Sequence, residues 1–202
     1  MPTLYILAGP NGAGKTTFYL TAVVQGFIPG NLPFVNLDLI AKDELGGYSE
    51  TNFVRAEEIY RSRVGELISD NRDFMIESNL AKDSEYDWIE KMKHKGYDIV
   101  LYYLCTDYPD EVHVKRVHER VIEGGHDVPE NIIHHRYKMS LLYLKGKIHV
   151  FKEVYLIDNQ ETSIEMATIH DGIIVKKNQN PPNWVQNVLS VIEKLNAKKG
   201  IN

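Results

Sequence analysis

An α/β fold, with a mostly parallel sheet covered by helices on both faces, is predicted by three features of the sequence. Short apolar runs alternate with longer amphipathic stretches, the order expected of right-handed βαβ units. The run Ile99–Leu104 is apolar throughout, as a strand buried on both faces should be. Between the first apolar run and the first helical stretch stands a glycine-rich turn, Gly9 to Gly14.

The elements follow in order. Leu4–Ala8 is the first strand, and a helix starts at about Lys15. Phe34–Leu37 reads as the second strand, set off by Pro29-Gly30 and Pro33. Phe53, Ala56, Tyr60, Val64, Leu67 and Ile68 then fall on one helical face. Phe74–Ile76 is a third short strand, and a helix from about Asp83 buries Trp88, Ile89 and Met92. After the Ile99–Leu104 strand come two helices, about Pro109–Glu123 and Pro129–Lys145, each with proline where the first turn tolerates it. Val154–Ile157 is the fifth strand. The tail departs from the alternation: Glu165–His170 and Gly172–Lys176 flank Asp171-Gly172, a hairpin signal, so an antiparallel pair is expected at one edge. A last helix, Asn183–Leu195, follows Pro181-Pro182.

No repeat or low-complexity tract divides the 202 residues, so a single domain over 1–202 is expected. Within it, about 107–147 forms a helical lid region and about 160–202 the hairpin and terminal helix. A net charge of −5 argues against a nucleic-acid or membrane-surface partner. No secretory signal and no apolar run long enough to span a bilayer is found, and the single cysteine, Cys105, fits a reducing cytoplasm. Cys105 ends an apolar run, which makes it a buried, inert thiol.

The glycine-rich turn carries the chemistry. Gly9-Pro10-Asn11-Gly12-Ala13-Gly14-Lys15-Thr16, followed by Thr17, matches G-x-x-x-x-G-K-S/T between a strand and a helix, the context that gives the phosphate loop its meaning. Glycines let the backbone wrap an anion with N–H groups pointing inward, and the helix presents its positive end. Lys15 supplies a charge for the β- and γ-phosphates of ATP, and Thr16 a hydroxyl for Mg²⁺. Lys15 is expected on a solvent-filled loop, where its truncation would spare the fold. The fold is therefore read as a three-layer P-loop NTPase of the kinase type.

Four further sets of residues bear on the reaction. Asp38, expected at the C-terminal end of the second strand, can accept the proton of an attacking hydroxyl, or can cap a helix. Glu77, ending the third strand on the same rim, can hold the acceptor or a metal-bound water, or is an exposed strand-end acid. Arg120 and Arg136 are candidates for the charge on the transferring phosphoryl group, beside a Gly124-Gly125 break that would let a lid close; Arg116 reads as the solvated one of the three. Arg55 could meet an acceptor's phosphates, or be a solvated helix arginine. The histidines show no metal-ligand spacing and suit helix surfaces or lid packing.

Gly9–Thr17, Phe34–Asp38, Ile76-Glu77-Ser78, Gly96-Tyr97, Arg116-Val117, Arg120-Val121, Gly124-Gly125-His126-Asp127-Val128-Pro129 and Arg136 together resemble the zeta-toxin family of P-loop kinases and its bacterial ABC-type-ATPase-like relatives, over about residues 3 to 158. The resemblance implies a sheet of order 2-3-1-4-5, ATP with Mg²⁺, and phosphorylation of the amino-sugar hydroxyl of UDP-N-acetylglucosamine. It makes Lys15 the phosphate lysine, Asp38 the base, Glu77 a substrate-contacting acid, and Arg120 and Arg136 the transition-state arginines. An antitoxin protein is an implied partner, although no antitoxin segment is visible in the chain. Two other readings of the residues stand beside this one. The first is a kinase for a sugar acid, a nucleoside or a polynucleotide 5′-hydroxyl. The second is a nucleotide-gated binding module, which would need neither Asp38 nor the arginines.

Overall fold

The computed structural model describes residues 1–200. Its sheet has seven strands in the order β2-β3-β1-β4-β5-β6-β7. The strands are β1 (Thr3–Ala8), β2 (Phe34–Val35), β3 (Phe74–Ser78), β4 (Asp98–Cys105), β5 (Glu153–Asp158), β6 (Ile164–His170) and β7 (Ile173–Lys177). The first five pair in parallel, and β6 and β7 add antiparallel, so the expected 2-3-1-4-5 core and edge hairpin are both present. The helices are α1 (Lys15–Val24), α2 (Leu37–Leu39), α3 (Glu50–Ser69), α4 (Asp83–His94), α5 (Lys115–Ile122), α6 (Glu130–Lys147) and α7 (Asn183–Lys199).

The central strands are apolar on both faces because helices cover both. Along β4, Ile99, Leu101, Tyr103 and Cys105 join the core under α3, α4, α6 and α7, while Val100, Tyr102 and Leu104 face α1. Leu4 and Ile6 of β1 point the first way and Leu7 the second. Cys105 is fully buried, and burial pushes its thiol well above the ordinary range, as an inert thiol requires.

Two expected elements differ. β2 stops at Val35: Asn36 is extended, and its side chain accepts the Leu39 N–H at 3.1 Å, so it caps a helix where the strand was expected to continue. The expected helix over Pro109–Glu123 is split into a π-helical turn, Pro109–Val114, and α5. Val114, Val117, Val128 and Ile133 form a small core of their own around α5, separate from both sheet faces.

Helix α6, by contrast, is tied to the sheet. Its Ser140 is fully buried, lies 2.7 Å from the Tyr103 hydroxyl and donates to the Asn79 carbonyl, while Tyr137 donates to the Thr106 carbonyl. Within the region 107–147 that was expected to form a lid, α6 is therefore anchored to the sheet side of the molecule, and these bonds do not reach α5 and the turn after it.

Helix α7 is capped from a distance: the Asp107 carboxylate accepts the Asn183 and Trp184 N–H groups at 2.6 and 2.8 Å. A carboxylate there satisfies orphan donors and complements the positive helix end. Asp107→Ala should lower unfolding stability by about 1 kcal/mol, read as a reduced urea midpoint with an unchanged slope.

Candidate active site

The turn between β1 and α1 puts the phosphate loop at the carboxyl ends of the parallel strands, where ligands of open α/β sheets bind. Gly14, in the left-handed region, precedes α1, and no side chain caps that helix. Its first N–H groups are therefore donors without a side-chain partner, aimed at the cavity rim. Gly12 has φ +76°, and a side chain there would run into the His113 carbonyl. The loop thus packs tightly against the π-helical turn beneath it.

Lys15 is not on a solvent-filled loop. It is 7% exposed, and its ammonium donates to the Gly9 and Pro10 carbonyls at 2.7 and 3.2 Å and to Asn79 Oδ1 at 3.3 Å. Glu77 Oε1 lies 3.5 Å away, and Asn36 Nδ2 donates to Glu77 Oε2 at 2.5 Å. Burial pushes the Glu77 carboxyl above the usual range; Lys15 opposes this, and the nearby Asp38 charge adds to it. Glu77 is thus no exposed strand-end acid but the partner of the phosphate lysine.

Two cavities meet here. One of about 450 Å³ is lined by Asn11–Thr17 with Arg116, Arg120 and Asn159. The other, about 610 Å³, lies between α3 and α4 and is walled by Tyr60, Val64, Ile68, Trp88 and Ile89, with Arg61 among its lining residues. Asp38 and Glu77 line both. Asp38 sits in the middle of α2, with the capping role taken by Asn36. Asp38 thus belongs to the walls of both cavities, on the side they share with Glu77.

The arginines sort differently from the sequence reading. Arg116 is not a solvated surface residue: it donates to the Asn159 and Gln160 carbonyls, both at 2.8 Å, and lies against Gly14. Arg120 lines the phosphate-side cavity and donates to the His126 carbonyl at 2.6 Å. Arg136 donates to Asn11 Oδ1 at 2.9 Å, which holds the loop from α6 without lining either cavity. Arg55 is exposed and lines neither cavity; Arg61, six residues further along α3, is the arginine that lines the cavity between α3 and α4, and it pairs with Glu57 at 2.6 Å.

His113 and Asn159 had no signal in the sequence. His113 is fully buried under the loop, with Nδ1 3.1 Å from the Asn11 carbonyl. A carbonyl only accepts, so Nδ1 carries the hydrogen and Nε2 is left buried without a partner. Burial first, then Lys15, pushes this imidazole down to about 3, so it stays neutral and does not compete with the loop for anions. Asn159, beyond β5, donates to the Ala13 carbonyl at 2.7 Å.

Thr16 and Thr17 are exposed at the cavity that Asp38 also lines. A hydroxyl and a carboxylate suit a hard cation that arrives with phosphates, and among the described residues no cluster of three or more His, Cys, Asp or Glu side chains could hold a metal unaided. Among the described residues, no helix is long and apolar enough to cross a membrane.

No family model and no curated protein matches the sequence. Solved structures do match the fold. The AvrRxo1-ORF1:-ORF2 complex with ATP contains a chain similar at TM-score 0.66 and 17% identity, covering 96% of this chain and 76% of that one. A chain of the PezAT chromosomal toxin–antitoxin system of Streptococcus pneumoniae is similar at TM-score 0.57 and 20% identity, covering 98% and 87%. One in the Pnkp1/Rnl/Hen1 RNA repair complex is similar at 0.51 and 25%, covering 72% and 46%. The chain shares its fold with these structures, and at the level of the fold the resemblance drawn from the sequence holds.

Because Lys15 and Glu77 are mutual partners, Lys15→Ala should destabilise the fold by about 3 kcal/mol, and adding Glu77→Gln should recover much of it. A second consequence concerns pH. With its carboxyl pushed up, Glu77 holds a proton in the folded chain that the unfolded chain has already released, so stability should fall as pH rises through that window. Urea titrations across the acidic range should show this decline flattened in Glu77→Gln.

Proposed function

We propose that the chain is a kinase that transfers the γ-phosphoryl group of ATP to a hydroxyl of a small molecule. The observation that carries this is the pair of cavities sharing Asp38 and Glu77, one built of phosphate-loop N–H groups and the other walled by apolar and aromatic side chains. A binding module gated by nucleotide would need the first cavity and not the second.

In this reading the triphosphate lies along the loop, with Lys15 turning from its carbonyl partners to the β- and γ-phosphates. The acceptor hydroxyl enters from the α3–α4 side. Its oxygen forms the new bond to the γ-phosphorus as the bond to the β,γ-bridging oxygen breaks, ADP leaves, and the hydroxyl proton passes to Asp38. Arg120 and Arg116, on the phosphate side, would offset the charge spreading over the transferring group. Arg136 supports them by fixing Asn11. Magnesium, held by Thr16 with the phosphates, would supply charge neutralisation.

UDP-N-acetylglucosamine is the acceptor that the family resemblance names. Its diphosphate would need a cation, and Arg61 rather than Arg55 supports that reading, since it lines the acceptor cavity. A protein partner of antitoxin type is proposed on the same resemblance and on the two-component complexes in which the structural neighbours occur. A cytoplasmic setting and the absence of nucleic-acid and membrane partners remain part of the proposal, on net charge and composition.

Asp38→Asn should lower kcat by about 10²-fold or more while ATP affinity stays nearly unchanged, because the amide keeps the shape and removes the base. ADP release assayed across sugars, nucleosides, nucleotide sugars and oligonucleotide 5′-ends, against a control without acceptor, checks the reaction class. Mass spectrometry of UDP-N-acetylglucosamine after reaction should show one added phosphate on the sugar. Robust phosphorylation of another acceptor with none there would remove the nucleotide sugar and keep the kinase.

A further inference from the structure

His126, in the turn after α5, has no part in the reaction as drawn, yet its ring carries that turn's contact with the segment leading into α3. Its ring stands edge-on to Phe53 at 4.7 Å between centroids and tilted against Tyr48 at 5.6 Å, and those two rings stack on each other at 5.9 Å. Tyr48 lies just before α3 and Phe53 in its first turn, in the segment that follows Asp38. Asn52 fixes that segment by donating to the Leu45 and Gly47 carbonyls at 3.0 and 2.9 Å. The aromatic cluster therefore links the arginine-bearing turn to the acceptor side of the site.

The backbone of the turn reaches Arg120 directly. The His126 carbonyl accepts from the Arg120 guanidinium at 2.6 Å, and the Gly125 N–H donates to the Arg120 carbonyl at 2.8 Å. A side chain on Gly125 would collide with the Arg120 stem, so the stem and the turn are packed as one unit. Among the described residues, Arg120 Nε is buried without a partner, and the His126 carbonyl is the one hydrogen-bond partner that defines the direction of its guanidinium. The Tyr48 hydroxyl is pushed up by burial and by Asp38 and eased by Arg120, which fits a ring lying between those two charges.

We propose that His126 is a positioning residue: its ring, docked on Tyr48 and Phe53, holds the turn closed and thereby sets the Arg120 guanidinium over the phosphate-side cavity. The role belongs to the ring's packing, not to a proton on it. Among the described residues, the other apolar hold around α5 is the small Val114, Val117, Val128 and Ile133 cluster. Losing the ring contact would therefore free the turn while leaving both faces of the sheet intact. This inference rests on the kinase reading for Arg120, but the docking itself does not.

The test uses the full chain as His126→Ala, His126→Phe, Arg120→Ala and the His126→Ala/Arg120→Ala double variant. Two readouts are taken: hydrogen–deuterium exchange with MgATP present, and ADP release with the acceptor panel. Exchange in the turn, residues 124 to 128, should rise in His126→Ala and return to the wild-type level in His126→Phe, with the thermal midpoint little changed. ADP release should fall in His126→Ala by about 10²-fold, the scale of a misplaced reacting geometry. The double variant should be no slower than Arg120→Ala alone, since the histidine acts through the arginine. Unchanged exchange in His126→Ala overturns the proposal. So does failure of phenylalanine to restore it, or a double variant in which the two losses multiply. A wild type that releases no ADP with any acceptor would remove the kinase reading and the Arg120 half of the proposal, leaving exchange to decide the docking by itself.

Discussion

The buried ammonium of Lys15 is the constraint on which the site depends. A cation this far from water must be met by acceptors, and the chain supplies them from two separate places while a third steadies one of them. The loop itself gives the Gly9 and Pro10 carbonyls, the end of β3 gives Glu77 and Asn79, and Asn36, at the end of β2, steadies Glu77. Satisfying one charge therefore fixes the relative positions of the phosphate loop, β3 and the α2 turn that carries Asp38. The same contacts continue outward: the Asn79 carbonyl is held by Ser140 of α6, which is held by Tyr103 of β4.

Around that centre the loop is gripped from several sides. His113 meets the Asn11 carbonyl from below, Arg136 meets the Asn11 side chain from α6, and Asn159 meets the Ala13 carbonyl from beyond β5. Each grip takes a carbonyl or side chain of the loop and leaves the inward N–H groups for an anion. Keeping His113 neutral matters in this arrangement, because a second cation under the loop would repel Lys15. The rigid parts are thus the loop, α6 and the strand ends, and the part with little core of its own is α5 with its turn.

Much of this was legible in the sequence. The strand–turn–helix context made the phosphate loop readable, and the apolar alternation placed Asp38 and Glu77 on the rim of one sheet. What local pattern could not supply were contacts made across long stretches of chain. Arg116 looked solvated because its partners, the Asn159 and Gln160 carbonyls, lie beyond β5, and His113 looked like a helix-surface histidine because a π-helical turn has no sequence signature. Arg55 and Arg61 were separable in principle: six residues apart on one helix, they point about 120° away from each other. Only the second shares the stripe of Val64 and Ile68 that walls the cavity between α3 and α4. The shortened β2 was the subtler miss, since Asn36 reads equally as the end of a strand and as a helix cap.

The central claim is that the two cavities joined at Asp38 and Glu77 bring a triphosphate and an acceptor hydroxyl together. The most direct measurement follows the phosphate itself: the protein is incubated with ATP radiolabelled at the γ-phosphate, magnesium and a small-molecule extract, and the products are separated. Label should appear on an organic product, and that product should vanish with Lys15→Ala once the variant is shown to be folded. Label confined to ATP and inorganic phosphate, whatever acceptors are supplied, would contradict the account.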